Sequence, residues 1–129
     1  VIGHRGVWAR REVDEIKVNL DNDGAVLTTG EGGSFYTASD HARIVGWYIT
    51  GYPSGSIVLD VWKRAGDIPT NLDSITGSEK PTLVNQTLNS NTNLTTWTDK
   101  RIRPGDVFGL EIESVSALTS CVLTIQIQK

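Results

Sequence analysis

Thr119-Ser120-Cys121-Val122-Leu123-Thr124-Ile125-Gln126-Ile127-Gln128 carries the cleanest pattern in the chain. Leu123, Ile125 and Ile127 fall on one side, and Thr124, Gln126 and Gln128 on the other. A period of two is that of a strand with one face dry and one wet. The run before it, Val107–Ser114, repeats the pattern with Phe108, Leu110 and Ile112 inward and Glu111 and Glu113 outward. Arg103-Pro104-Gly105-Asp106 turns the chain into this run, and Ser116-Ala117 turns it out again. Turn residues at such spacing, with no helical period between them, predict an all-β fold.

The same reading extends toward the start. Glu15–Leu20 places Ile16, Val18 and Leu20 together, and Asp21-Asn22-Asp23-Gly24 reads as a hairpin turn because Asn and Gly tolerate positive φ. Ala25–Thr29 is the expected returning strand, and Gly30–Ser34 a flexible loop. His41–Thr50 sets Arg43, Val45, Trp47 and Ile49 against Ile44, Gly46 and Tyr48. Gly51-Tyr52-Pro53-Ser54-Gly55 predicts a turn, followed by a strand over Ser56–Lys63. There Ile57, Leu59 and Val61 share a face, while Val58, Asp60 and Trp62 make a mixed second face that needs cover from a loop or a neighbouring subunit. Ala65–Gln86 is irregular, with a helical turn expected at Asn71-Leu72-Asp73-Ser74, and a short strand is expected near Gln86–Leu88. The sum is a single antiparallel β-sandwich or jelly roll of roughly seven to eight strands over residues 15–129. Residues 1–14 lack alternation and read as an N-terminal arm, ordered only against something else.

Composition bounds the function. The chain has 129 residues, enough for one domain, and a formal net charge of −3, which argues against nucleic acid as a partner. No apolar run approaches the roughly 20 residues that span a bilayer, so no membrane association is expected. One cysteine, Cys121, rules out an intrachain disulfide.

An ordered set of residues runs through the chain: Leu20-Asp21-Asn22-Asp23-Gly24 with Thr28-Thr29-Gly30; Gly55–Lys63; Pro69-Thr70; Asp73-Ser74-Ile75-Thr76; Lys80-Pro81-Thr82-Leu83; Leu94 with Trp97-Thr98; Pro104-Gly105-Asp106-Val107; and Ser114-Val115-Ser116. In this set the chain resembles a small β-sandwich module of tailed-bacteriophage virion surface proteins. The resemblance covers almost everything except the first fifteen residues. It implies a virion setting, on the surface of the phage particle, and partners among other capsid or tail proteins. It implies a homo-oligomer, with a trimer favoured. It transfers no catalytic residue.

Other candidate chemistry is better explained by structure. His4-Arg5-Gly6 with Glu12 and Asp14 is similar to the opening of glycerophosphodiester phosphodiesterases, but that family needs a barrel of roughly 200 residues or more. Asp21–Gly24 lacks the further ligands of a calcium loop, with Gly32 where a glutamate would close it. Asp67, Asp73 and Glu79 are irregularly spaced loop charges. Asp60 reads as a buried acceptor for backbone amides or for an arginine such as Arg43, and Cys121 as an inert thiol. No catalytic, cofactor-binding or metal site is therefore expected.

Aromatics remain. Trp62 and Trp97 read as core anchors; Tyr36, Tyr48 and Tyr52 lie where they could meet a partner. In the arm, Trp8 stands among Arg5, Arg10 and Arg11, the residue types richest in binding energy at interfaces, and these four are the expected partner-binding residues. The sequence thus points to a non-enzymatic virion protein, a capsid decoration (cement) protein or a small tail or fibre module, acting by adhesion. The alternative is a carbohydrate-binding or host-receptor-binding module, for which a host-surface glycan would be the partner.

Overall fold

The computed structural model describes residues 5–11, 15–31 and 35–129, with side chains described for 15–30 and 35–129. The chain is all-β, an antiparallel sheet curled into a half-barrel, with no α-helix among the described residues. Its strands are β1 (Arg5–Arg11), β2 (Glu15–Asp21), β3 (Gly30–Glu31), β4 (Tyr36–Thr37), β5 (Ala42–Ala65), β6 (Thr82–Asn91), β7 (Arg101–Ile102), β8 (Asp106–Ser116) and β9 (Ser120–Gln128). The hydrogen-bonded order is β1-β2-β9-β5-β8-β3, with β6 and β7 also on β5 and β4 on β8.

The long strand β5 organises the fold. Its first arm pairs with β9, from Arg43 opposite Gln128 to Tyr52 opposite Ser120. Its second arm pairs with β8, from Ser56 opposite Ser116 to Ala65 opposite Asp106. The segment 51–55, expected to be a turn, is instead a bend within this one strand. Neighbours explain why it does not reverse the chain. The register with β6 shifts on both sides of Gly55, and a side chain at Gly55 would collide with the Ser116 carbonyl oxygen. A bulge of this kind bends a strand without ending its pairing. The curl brings both arms over a common core. Ile16, Val18, Leu20, Trp47, Ile49, Leu123 and Ile125 come from one side, and Ile57, Leu59, Val61, Phe108, Leu110 and Ile112 from the other.

A second bulge corrects the face expected for His41–Thr50. The β5–β9 register slips between Ile44 and Gly46, so Ile44 is buried with Trp47 and Ile49 while Val45 is only half-buried. A one-residue slip moves every following side chain to the other face. The turn at Asp21–Gly24 is present: Ala25 N–H donates to the Asn22 carbonyl (2.9 Å), and Asp23 and Gly24 have φ of 52° and 86°. The returning strand expected over Ala25–Thr29 does not form. That stretch leaves the sheet, and Leu27 N–H bonds instead to the Leu118 carbonyl (2.8 Å). The strand expected near Gln86–Leu88 is longer, spanning all of β6.

Residues 5–11 of the expected arm are an edge strand. They pair with β2, Trp8 opposite Val18 and Arg10 opposite Ile16. The something that orders this stretch is therefore the protein's own sheet. Charged residues do not prevent this, because an edge strand needs backbone pairing and only one dry face.

Candidate functional site

The two arms of β5 treat their outer faces differently. On the second arm, the mixed face is covered from within the chain by the segment between β5 and β6. Trp62 forms a bridge with Ser74, and Ile75 N–H donates to the Val61 carbonyl (3.0 Å). Asp60, opposite Glu111, is the hub. Its carboxylate accepts from Ser74 Oγ (2.6 Å), Thr76 Oγ1 (2.7 Å) and Trp62 Nε1 (3.1 Å). The expected pairing with Arg43 is absent: Arg43 lies on the other arm, and the hydroxyls of the loop take its place. The case for a subunit covering this face also lapses, since the loop covers it.

The segment is built to lie down. Thr70 and Asp73 cap the short 3-10 turn Asn71–Asp73 reciprocally, Thr70 N–H donating to Asp73 (2.8 Å) and Leu72 N–H to Thr70 Oγ1 (3.3 Å). Glu79 accepts from the Thr96 N–H (2.6 Å) and the Thr96 hydroxyl (2.9 Å). The backbone N–H of Thr96 is the main reason the Glu79 carboxyl titrates below its ordinary range, with the Thr96 and Thr95 hydroxyls and Lys100 helping against burial. Trp97 Nε1 donates to the Glu79 carbonyl (2.8 Å). Asp67 stands by Arg64 at 4.0 Å. The three loop carboxylates therefore serve separate structural bonds and do not converge.

One acidic group does converge. Carboxylate oxygens of Asp60, Glu111 and Glu113 lie within 4.8 Å of one another. Hard cations favour such oxygens. Yet both Asp60 oxygens are already engaged, and Lys80 Nζ stands 3.8 Å from Glu113. The sequence hides this grouping because the β5–β8 register shifts between Val58 and Leu59. At the end of the same arm Lys63 Nζ is buried between Asp99 (2.7 Å) and Asp106 (3.1 Å). Cys121 is buried, and burial pushes its thiol up to about 12, so it is no nucleophile.

The outer face of the first arm is open. In an antiparallel sheet directly opposite residues share a face. Tyr48 lies opposite Thr124 and Ser90, Thr50 opposite Val122 and Leu88, and Tyr52 opposite Ser120. Tyr48 is 44 % exposed, Leu88 56 % and Tyr52 69 %, a cluster of large side chains that the core leaves in water. Shallow recesses of about 250 Å³ and 240 Å³ flank Tyr48 and Tyr52. Farther along the same face, Arg43 lies opposite both Gln128 and Arg101, beside a recess of about 360 Å³. This face unites Tyr48 and Tyr52, which the sequence marked, with Arg43 and Arg101, which it did not mark as a pair. Tyr36 is elsewhere, half-buried against Phe108 with ring centroids 6.2 Å apart.

Of the expected partner-binding residues, Arg5, Trp8, Arg10 and Arg11 fall on β1, and their side chains lie outside the described residues. His4, Glu12 and Asp14 also lie outside the described residues. No protein-family model matches the chain, and no curated protein or solved structure matches it.

Proposed function

We propose that the chain is a non-enzymatic surface module of a bacteriophage virion, a capsid decoration protein or a small tail or fibre module, that works by adhesion. The observation that carries this is the bare outer face of the first arm of β5, with Tyr48, Tyr52 and Leu88 in solvent. Interfaces concentrate such aromatic residues. The residues of the phage resemblance support the reading in another way. Gly55–Lys63 and Asp73–Thr76 meet in the Asp60 network, so the set describes one packed unit. In this reading the curl of the sheet is that of a β-sandwich or jelly roll. One layer is β1, β2, β9 and the first arm of β5, and the other is β8 and the second arm. Copies associate as a trimer, and the β1 edge, bearing Arg5, Trp8, Arg10 and Arg11, attaches to a neighbouring virion protein.

Electron microscopy of purified particles labelled with an antibody to this chain tests the proposal. Regularly placed label on the capsid or tail surface is the expected result. Particles that lack the chain altogether would overturn it.

A second reading, a carbohydrate-binding or receptor-binding module, is favoured by one feature. The recess at Tyr48 is lined by Ser90, Asn91, Thr92 and Gln126, hydroxyls and amides without a charged group. That is the chemistry that meets sugar hydroxyls beside an aromatic ring. The two readings are compatible, since a virion surface module can adhere through a glycan.

A further inference from the structure

The open face of the first arm has three parts in line along β5. At one end is Tyr52. Tyr48 is four residues earlier on the same side of the strand, ~13 Å away at strand rise. At the far end are Arg43 and Arg101, directly opposite each other on β5 and β7.

The arginine pair needs explaining. Like charges directly opposite in a sheet are destabilising. Both arginines are exposed, and among the described residues no carboxylate lies within ion-pair distance of either side chain. The Asp99 carboxylate nearby takes the Arg101 backbone N–H (3.2 Å) and Lys63 Nζ, not the guanidinium. Asp40 is joined to Lys129 Nζ at 3.3 Å. Two guanidinium forks thus border a recess of about 360 Å³ at this end of the face with their charge uncompensated. Such forks match a carboxylate in bidentate fashion.

Between the arginines and Tyr48 lies Gly46. A side chain there would meet Gln126 Oε1 at 2.7 Å, so the missing side chain is the space into which the Gln126 amide folds. That amide makes no hydrogen bond to another described residue. Beyond it, the recesses at Tyr48 and at Thr50 and Tyr52 are lined without a charged group, while across β9 the same face carries Glu15, Lys17 and Asp21, with Lys17 Nζ 3.4 Å from Glu15. The face therefore offers rings for stacking, neutral hydrogen-bonding groups for hydroxyls, and a cationic end for an anion. A purely neutral glycan leaves the arginines unexplained, and an anionic peptide or nucleic acid leaves the uncharged recesses beside Tyr48 and Tyr52 unexplained.

We propose that this face binds an acidic polysaccharide laid along β5, with sugar rings stacked on Tyr48 and Tyr52 and a carboxylate of the chain held between Arg43 and Arg101. The inference rests on the adhesion reading and names what is adhered to. The apolar faces of pyranose rings lie on the tyrosines, and the hydroxyls meet Gln126, Ser90 and Thr50. The ligand carboxylate relieves the repulsion between the arginines.

The test uses the full chain and three acidic polysaccharides: polygalacturonate, hyaluronan and polysialic acid. Each is compared with its carboxyl-reduced neutral form by titration calorimetry. At least one acidic form should bind, about tenfold or more tighter than its neutral counterpart and more weakly as salt rises. Arg43→Gln with Arg101→Gln should remove most of that preference and leave binding of the neutral form alone. Tyr48→Ala and Tyr52→Ala should each weaken both forms by about tenfold. Melting curves of the variants verify that they fold. Failure of all three acidic polymers to bind overturns the proposal. So does equal affinity for reduced and unreduced forms, and so does binding that survives loss of both tyrosines, which would be simple ion exchange. A chain that sits on particles but binds none of the three sinks this inference alone. A chain that binds but is missing from particles sinks the virion reading alone.

Discussion

The two arms of β5 belong to one strand, yet one is buried on both faces and the other on only one. The second arm, Ser56–Ala65, has Ile57, Leu59 and Val61 in the core and Asp60 and Trp62 buried beneath the segment that leads to β6. The first arm has Trp47 and Ile49 in the same core but leaves Tyr48 and Tyr52 in water. The difference lies in what polar groups the chain can bring to each outer face. Over the second arm, Ser74 and Thr76 satisfy a carboxylate that would otherwise be too costly to bury. Over the first arm the chain comes close only at Gly46, where Asn91 and Thr92 approach, and Tyr48 and Tyr52 stay exposed. Stability and recognition are thus separated along a single strand.

The sharpest way to break the covered arm is Lys63→Met. Lys63 Nζ is the buried counter-charge of Asp106, whose carboxylate also accepts the Arg103 N–H (2.9 Å). Removing one member of a buried pair leaves the other uncompensated, and the cost is about 3–5 kcal/mol. Urea denaturation should show a midpoint lowered accordingly, at unchanged slope. Replacing both, as Lys63→Met with Asp106→Leu, should recover a large part of the loss. The acid limb adds a second readout. Burial raises Asp99, but the hydrogen bond and charge of Lys63, the Arg101 N–H and Arg103 outweigh it, and its carboxyl titrates below the ordinary 3.8. A depressed native value means stability that is present above that pH and lost as pH falls below it. Lys63→Met should flatten this acid limb; a limb as steep as in the wild type would place its origin elsewhere, Glu79 being the next candidate.

A somewhat smaller effect is expected from Asp60→Ala. It strands the Trp62 indole N–H and two hydroxyls under the loop. Hydroxyls can turn toward other acceptors and the indole cannot, so the loss is about 2–3 kcal/mol. Proteolysis within the segment 66–81 should accelerate in parallel, because Asp60 ties that segment to the sheet. A variant that loses stability without faster cleavage there would show that the loop is held by Ile75 and the Glu79–Thr96 bonds instead.

The contrast between the arms was only half legible in the sequence. Alternation in β9, β8 and β2 gave their inward residues correctly, because these residues fall on stretches paired without a slip, the one on β8 coming only after Ile112: Leu123, Ile125 and Ile127, then Phe108, Leu110 and Ile112, then Ile16, Val18 and Leu20 are all buried. Bulges defeated the same method on β5. Val45 and Gly55 sit where pairing slips, and no local residue preference announces a slip. Gly51–Gly55 has the composition of a turn, and only the packing of β6 and Ser116 around it shows a bend. Asp60 was recognisable as a buried acceptor, but two of its three partners, Ser74 and Thr76, lie 14 and 16 residues away in a segment without periodicity. Tyr48 and Tyr52 were visible as candidates for contact. Their alignment with Arg43 and Arg101 depends on β7, a two-residue strand too short to leave a pattern.

The smallest expected effect completes the comparison. Tyr48→Ser and Tyr52→Ser, singly, remove rings that are 44 % and 69 % exposed and accept or donate no hydrogen bond to another described residue. Substitutions away from the core and from buried polar bonds usually change stability by less than about 0.5 kcal/mol. Each ring still covers part of its strand neighbours, Thr124 and Ser90 for Tyr48 and Ser120 for Tyr52, so a slight loss is more natural than a gain. The thermal midpoint should therefore move by only a few degrees, against the collapse expected for Lys63→Met. A loss of 2 kcal/mol or more, on the order of a buried aromatic truncation, would mean that the first arm relies on its outer face as the second does. The tyrosines would then be part of the structural frame, and the division between a covered arm that stabilises and an open arm that recognises would fall.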